Sequence, residues 1–463
     1  MASARAEQER EPIEPSDVRP APIRRGAEIA ALKQRDNVTN FCHIAFVYAI
    51  IAVTIAATIT LFAAIERSGW GLSWQAPVAL VAIAVIGASQ HQFGGAIHEA
   101  THHILFDNRT LNELASDWLV AFPIYTSTFA FRLHHLAHHQ FINDPERDPD
   151  FAQLQDSGHH LDFPITHVDM LRALVRQLWL PNLFRYTIAR ARYSALGGVK
   201  NPYVDMERPG AKLPVLMGVA FAAGMPALLV TLLAMNESVA AFSVLGVSTA
   251  LILLYYASLR EEAFPRTHLK PVISHKTTAI GRILYMALLY GALSAIEARG
   301  WGPAWAWFGV LWIVPLFTTF PLFMIMRQWV QHGNADRGRL TNTRVFLVNP
   351  LIRYAVFPFG MDIHLPHHMY ASVPHYRLKE LHALLMKDRD YQEKGIVVEG
   401  YFRSPHRSPP EARNPTVMEV LGPAYAPREA SDIYVDNAAI AEADVADQEA
   451  LDREVRLSEL ARE

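Results

Sequence analysis

Long uncharged apolar runs alternate with polar stretches along the 463-residue chain. A helix needs roughly 20 apolar residues to cross a bilayer core about 30 Å thick. Five runs reach that length: Ala45–Ile65, Val78–Ile97, Leu213–Met235, Val239–Leu259 and Trp305–Met326. A sixth, Ile283–Ile296, is short and crosses only if its helix begins earlier and Arg282 snorkels. Short connections at Glu66–Pro77, Asn236–Ser238 and Glu297–Ala304 fold the runs into three hairpins, each returning to the side it left. The pattern predicts an all-α integral membrane protein with four to six transmembrane helices arranged in hairpins.

Charge then sets an orientation. Arg24, Arg25, Lys33 and Arg35 precede the first run. Arg172, Arg176, Arg185, Arg190, Arg192, Lys200 and Lys212 lie between the second and third, and Arg260, Arg266, Lys270 and Lys276 follow the fourth. The other side offers Arg67 and Arg299. Positive loops stay in the cytoplasm, which places residues 98–212, 260–282 and 327–463 there, with Trp70, Trp74, Trp301, Trp305 and Trp307 as a belt on the far side. The polar N-terminus has no apolar signal-peptide core, so it is expected to remain cytoplasmic in a bacterial inner membrane. Three regions are expected: residues 1–40 as an N-terminal segment, 41–386 as the membrane domain, and 387–463 as a Pro-rich and then acidic, partly disordered tail with a helix-like stretch at Ala450–Arg462. The net charge of −3 carries no nucleic-acid signature.

The 21 histidines crowd onto the cytoplasmic side. His98, His102 and His103 close the second run in HEATHH, and His134, His135, His138 and His139 form HHLAHH. His332 follows the last run, and His364, His367 and His368 form HLPHH. On a helix, positions i, i+3 and i+4 share a face, so HxxHH aims three imidazoles at one point. Chance yields such a pattern about 0.04 times at this histidine content, and it occurs twice. The one cysteine, Cys42, excludes disulfides within the chain and Cys-rich zinc or iron–sulfur sites. Eight or nine imidazole nitrogens exceed what one tetrahedral zinc takes, so two metals are the economical reading. His43, His91, His167, His268 and His275 read as satisfied core residues, His159 and His160 as surface residues, and His375 and His382 as residues behind the site or exposed.

The boxes and their flanks, HEATHHILFDNRTLN, FRLHHLAHHQFINDPERDPD and HLPHHMYASVPHYRLKEL, resemble the membrane fatty acid desaturases and their hydroxylase and ketolase relatives. The resemblance covers about Leu32 to Met386. It implies a cytoplasmic helical cap holding a histidine-rich di-iron site, with His98, His102, His135, His138, His139, His332, His364, His367 and His368 as ligands. His103 and His134 satisfy longer box spacings, and Gln328 lies one turn before His332, so all three are possible extra ligands. Gln331 stands where the family often has Glu. A metal-bound imidazole donates its second N–H to a carboxylate or carbonyl, for which Glu99, Asp144, Asp148 and Asp150 are candidates, with Asp362 a further one. The resemblance also implies O2 as co-substrate and oxidation of a fatty acyl or other lipid chain, most simply its desaturation. Hydroxylation or ketolation of a lipid or carotenoid is the alternative within the superfamily. The substrate channel is expected to be apolar, lined in part by Trp118–Phe131, with Arg132 or other loop bases meeting a headgroup. With no fused cytochrome b5 or dinucleotide fingerprint in the sequence, a separate ferredoxin or cytochrome b5-like donor is expected, docked by the basic loops at Arg172–Lys212 or Lys270–Arg282.

Two other classes fit parts of the pattern. HEATH is also an HExxH, the text of an intramembrane zinc metalloprotease with Glu99 as general base. That reading leaves both HxxHH boxes idle. A metal transporter would pass ions along the histidines and needs polar residues deep in the spans, which only Gln90–Gln92 supply.

Overall fold

The computed structural model describes residues 26–196, 201–205, 210–403, 414–425 and 434. In chain order its principal helices are α1 (Thr39–Arg67), α2 (Gln75–Thr101), α3 (Arg109–Ser116), α4 (Thr128–Gln140), α5 (Pro149–Ser157), α6 (His167–Arg176), α7 (Leu180–Leu196), α8 (Lys212–Ala234), α9 (Ser238–Ser258), α10 (His275–Ala298), the composite α11 (Ala304–His332), α12 (Pro350–Val356), α13 (His364–Met369), α14 (Leu378–Leu385) and α15 (Val417–Leu421). Six of them, α1, α2 and α8 to α11, are long and apolar enough to cross a membrane. The short run at Ile283–Ile296 lies within α10, which begins at His275 because Ser274 caps it, its hydroxyl accepting from the Thr277 amide at 3.2 Å. At 23 and 21 residues, α8 and α9 have the length of full spans.

The spans form two groups. In the first, α1, α2 and α11 pack around Ile44, Val47, Phe93, Ile97, Phe320 and Ile325. In the second, α8, α9 and α10 pack around Phe221, Leu229, Leu245, Ile283 and Tyr290, joined by Trp305 at the start of α11. Nearly every residue from Ile86 to Thr101 is buried, so the lower half of α2 is the axis of the molecule. Gly95 permits this: a Cβ there would lie 2.8 Å from Pro358 Cβ, inside contact distance. The polar residues Gln90, His91 and Gln92 in this half are each tied to backbone. Gln90 Nε2 donates to Trp312 O at 2.8 Å, Gln92 Nε2 to Tyr354 O at 2.5 Å, and His91 Nδ1 lies 2.9 Å from Ala355 O. Such pairing suits structural groups buried in a span rather than an ion path.

The expected boundary at residue 386 does not hold. A two-stranded parallel sheet pairs β1 (Arg344–Leu347) with β2 (Ile396–Glu399), with Val345 opposite Val397. Helix α15 then buries Val417, Met418, Val420 and Leu421 in the core that also holds Ile325 and Trp329. These apolar residues are too few to show periodicity, and the surrounding prolines hid them. The acidic stretch from Glu429, apart from Tyr434, and the expected helix at Ala450–Arg462 lie outside the described residues. Residues 172–196, the first part of the expected basic loop, lie largely in α6 and α7, and these helices with their connection expose Val175, Leu178, Trp179, Phe184 and Ile188.

Candidate metal centre

Four helix ends carry the histidines to one place. His98 lies in the last turn of α2, and His102 is the residue that closes it. Helix α4 presents His135, His138 and His139 on one face, with the i, i+3, i+4 spacing that the sequence predicts. His332 ends α11, and the short α13 presents His364, His367 and His368.

Two groups of ring nitrogens result: His98, His102, His135, His139 and His367, and beside them His138, His332 and His368. His364 joins the second, its Nε2 lying 3.0 Å from that of His332 and 3.1 Å from that of His368. In the first group, His135 Nε2 is 3.0 Å from both His102 Nε2 and His139 Nε2, and His367 Nε2 is 3.2 Å from His139 Nε2. All nine imidazoles expected from the boxes are thus brought together. His139 and His368 stack at 4.4 Å between ring centroids and link the two groups.

The remaining expected residues separate cleanly. His103 has a left-handed backbone (φ 55°) just past the end of α2, which turns its ring away to Arg132 at 3.5 Å and Glu113 at 3.6 Å. Burial and the Arg132 charge push its pKa down to about 2. His134 lies off the face shared by its neighbours and binds Asp150 at 2.7 Å. Gln328 lines the same cavity as the cluster, but its Oε1 accepts from the Tyr186 hydroxyl at 2.5 Å. Gln331 donates to Met361 O at 2.8 Å. Arg132 is not free for a headgroup. It is buried, paired with Glu113, and donates to Ala100 O and Thr101 O at 2.7 and 2.9 Å, closing the C-terminal carbonyls of α2.

The carboxylates divide in the same way. Asp148 accepts from His138 Nδ1 at 2.9 Å while its side chain also takes the Asp150 amide, capping α5. Asp150 holds His134 and lies 3.9 Å from His138. Glu99 is 3.7 Å from His98 Nδ1, and its other oxygen accepts the His375 amide at 2.8 Å. Asp144 serves a loop: it pairs with Arg147 at 2.9 Å and Arg337 at 3.1 Å. Asp362 pairs with Arg353 at 3.0 Å. His159, expected at the surface, is buried between Ser157 and Gln177, and its carbonyl accepts from the Trp329 indole at 2.8 Å.

Burial and the mutual repulsion of neighbouring imidazoles hold His102, His135, His364, His367 and His368 well below the usual histidine range. They are therefore neutral, the form that ligates metal. Burial works against a charge on His138, yet Asp148 and Asp150 outweigh it and push the pKa up to about 9. Nitrogen lone pairs facing one another at 3.0–3.2 Å cannot all find protons to share, and both ring nitrogens of His98 are buried without a hydrogen-bond partner. A cation satisfies all of them. With metal–nitrogen bonds of about 2.1 Å, cis ligands at right angles lie about 3.0 Å apart, against about 3.4 Å in a tetrahedron. Imidazole donors suit iron, zinc and copper alike, and nine of them exceed what one tetrahedral ion takes.

Sequence reading passed over Asn342, whose carbonyl lies 3.1 Å from His332 Nδ1, and two arginines, Arg190 and Arg327, that line the cavities beside the cluster. A carbonyl has no signature in sequence, and arginines at the edge of a span read as orientation signals.

Comparison with known proteins agrees with this geometry. A dihydrorhizobitoxine desaturase of Bradyrhizobium elkanii is 32% identical over 124 residues, covering 27% of this chain and 32% of the relative. A delta(5) fatty acid desaturase, fat-4, of Caenorhabditis elegans is 31% identical over 102 residues, covering 22% of this chain and 21% of the relative. The chain thus spans about a third and about a fifth of these two relatives' lengths. The fatty acid desaturase family model matches residues 72–286 and 240–399, a stretch that contains every imidazole of the cluster. With most of its length matched and its histidine boxes converging as described, the chain belongs to the fatty acid desaturase family.

Proposed function

We propose that this protein is an O2-dependent di-iron enzyme that desaturates a fatty acyl or other lipid chain. The observation that carries the reading is the pair of adjoining imidazole groups with Nε2 atoms 3.0–3.2 Å apart. His98, His102, His135, His139 and His367 would hold one iron, and His138, His332, His364 and His368 the other. Bound there, the pair supplies the reductive activation of O2 that breaking an unactivated C–H bond requires. Two hydrogens leave adjacent carbons, a donor adds two electrons and solvent two protons, and O2 departs as two waters.

The chain's own part is to hold ligands and exclude water. Asp148 fixes the ring of His138 through Nδ1, and Asn342 O does the same for His332. Phe131 stacks on His135 with centroids 5.7 Å apart and, with Met324, walls the neighbouring cavities. Glu99, locked to the His375 amide, has a supporting role, unlike the general base of an HExxH protease. Electrons come from a separate carrier, a ferredoxin or a cytochrome b5-like protein. The lysines and arginines between the spans favour a bacterial inner membrane with the histidines on the cytoplasmic side.

Expression in a host that lacks the activity, followed by mass spectrometry of its lipids, tests the reading. A new double bond, absent with His138→Ala or His367→Ala, supports it. An unchanged lipid profile with an iron-loaded, inserted protein refutes lipid desaturation.

A further inference from the structure

Two small cavities abut the imidazole cluster, about 20 and 30 Å³ in volume. Both are lined by His98, Phe131, Met324, Arg190 of α7 and Arg327 of α11. The two guanidinium groups are short of partners. Arg190 lies over the Phe320 ring at 4.7 Å and has Met324 Sδ 3.1 Å from Nη1, a weak acceptor. Arg327 Nε is buried with no hydrogen-bond partner. Asp150 is within electrostatic reach of Arg327, but it already accepts from His134 at 2.7 Å and lies 3.9 Å from His138.

Arginine stays charged when buried, and an unpaired buried cation is costly. Here two of them share the walls of cavities that open on a cluster suited to further cations. An apolar acyl chain would leave that charge uncompensated, whereas the planar forks of two arginines match a carboxylate. Resting on the oxidative reading above, the geometry points to a substrate that brings its own free carboxylate, which docks between Arg190 and Arg327. The oxidised carbon then lies a few bonds from the acid end. A neutral ester or a thioester has no charge to place there, and the planar guanidinium forks pair bidentately with a carboxylate.

The test is calorimetric binding of hexanoate, methyl hexanoate and hexyl phosphate to the full-length protein in nanodiscs, with iron content measured alongside. Hexanoate should bind at least about tenfold more tightly than its methyl ester and than hexyl phosphate. Arg190→Gln and Arg327→Gln should each lower hexanoate affinity by about tenfold or more while leaving metal content unchanged. Arg327→Lys, which keeps the charge but not the fork, guards against misfolding and should fall between wild type and Arg327→Gln. The proposal is overturned if the ester binds equally well, if the phosphate binds more tightly, or if both glutamine variants bind hexanoate like wild type. Arginine-dependent binding to a protein that takes up no iron would preserve the subsite and defeat the oxidative reading. Iron-dependent oxidation with no preference for acid over ester would do the reverse.

Discussion

Asp148 does two jobs, capping α5 and orienting His138, and the pair of roles makes it the most informative single position. Asp148→Asn keeps an acceptor for the cap but loses the charge-assisted bond, so iron affinity should fall about 10- to 100-fold in chelator competition. Asp144→Asn should leave iron affinity near wild type, because that carboxylate holds Arg147 and Arg337. Equal losses from the two would mean that Asp144 also acts on the cluster. His159 offers a pH test. Burial pushes its pKa down to about 4, below the 6.5 of an unfolded histidine. Its folded form therefore binds protons less readily, so the stability it contributes is present above about pH 6.5 and lost as pH falls toward 4. His159→Gln should flatten the loss of thermal stability between pH 7 and pH 5, and an unchanged slope would contradict the assignment. The clustering of the box histidines was legible in the sequence because i, i+3, i+4 spacing is a local property. The fates of His103 and His159 were not, since a left-handed residue and a Gln177 partner 18 positions away leave no periodic trace.

At the scale of elements, the spans were readable from apolar length, and the sheet and α15 were not. Short elements are made by tertiary contact: β2 is four residues long, and its partner strand lies about fifty positions earlier. Leu421, fully buried in α15, should nevertheless behave as a core residue. Leu421→Ala is expected to cost about 2–5 kcal/mol and to lower the thermal midpoint clearly in detergent. A neutral result would place residues after 386 outside the core, as the sequence suggested. The exposed apolar face of α6 and α7 fits a helix pair resting on the membrane surface. Spin labels at Leu178 and Phe184 should report a lipid-accessible environment at shallow depth, and strong accessibility to water-soluble quenchers would refute that placement.

For the whole molecule, six spans and a single set of cluster-bearing helix ends follow one logic. The boxes meet because α4 packs against the buried half of α2, while α13 reaches it through His367, whose ring centroid lies 4.5 Å from that of His98. The sequence fixes which residues meet, while the spacing of their nitrogens needs the fold. That spacing supports the central claim of two irons held by nine imidazoles. Metal analysis of protein purified from iron-replete cells tests it most directly. Two irons per chain are expected, falling sharply in both His138→Ala and His367→Ala; one zinc per chain, or iron content unaffected by either substitution, would contradict it.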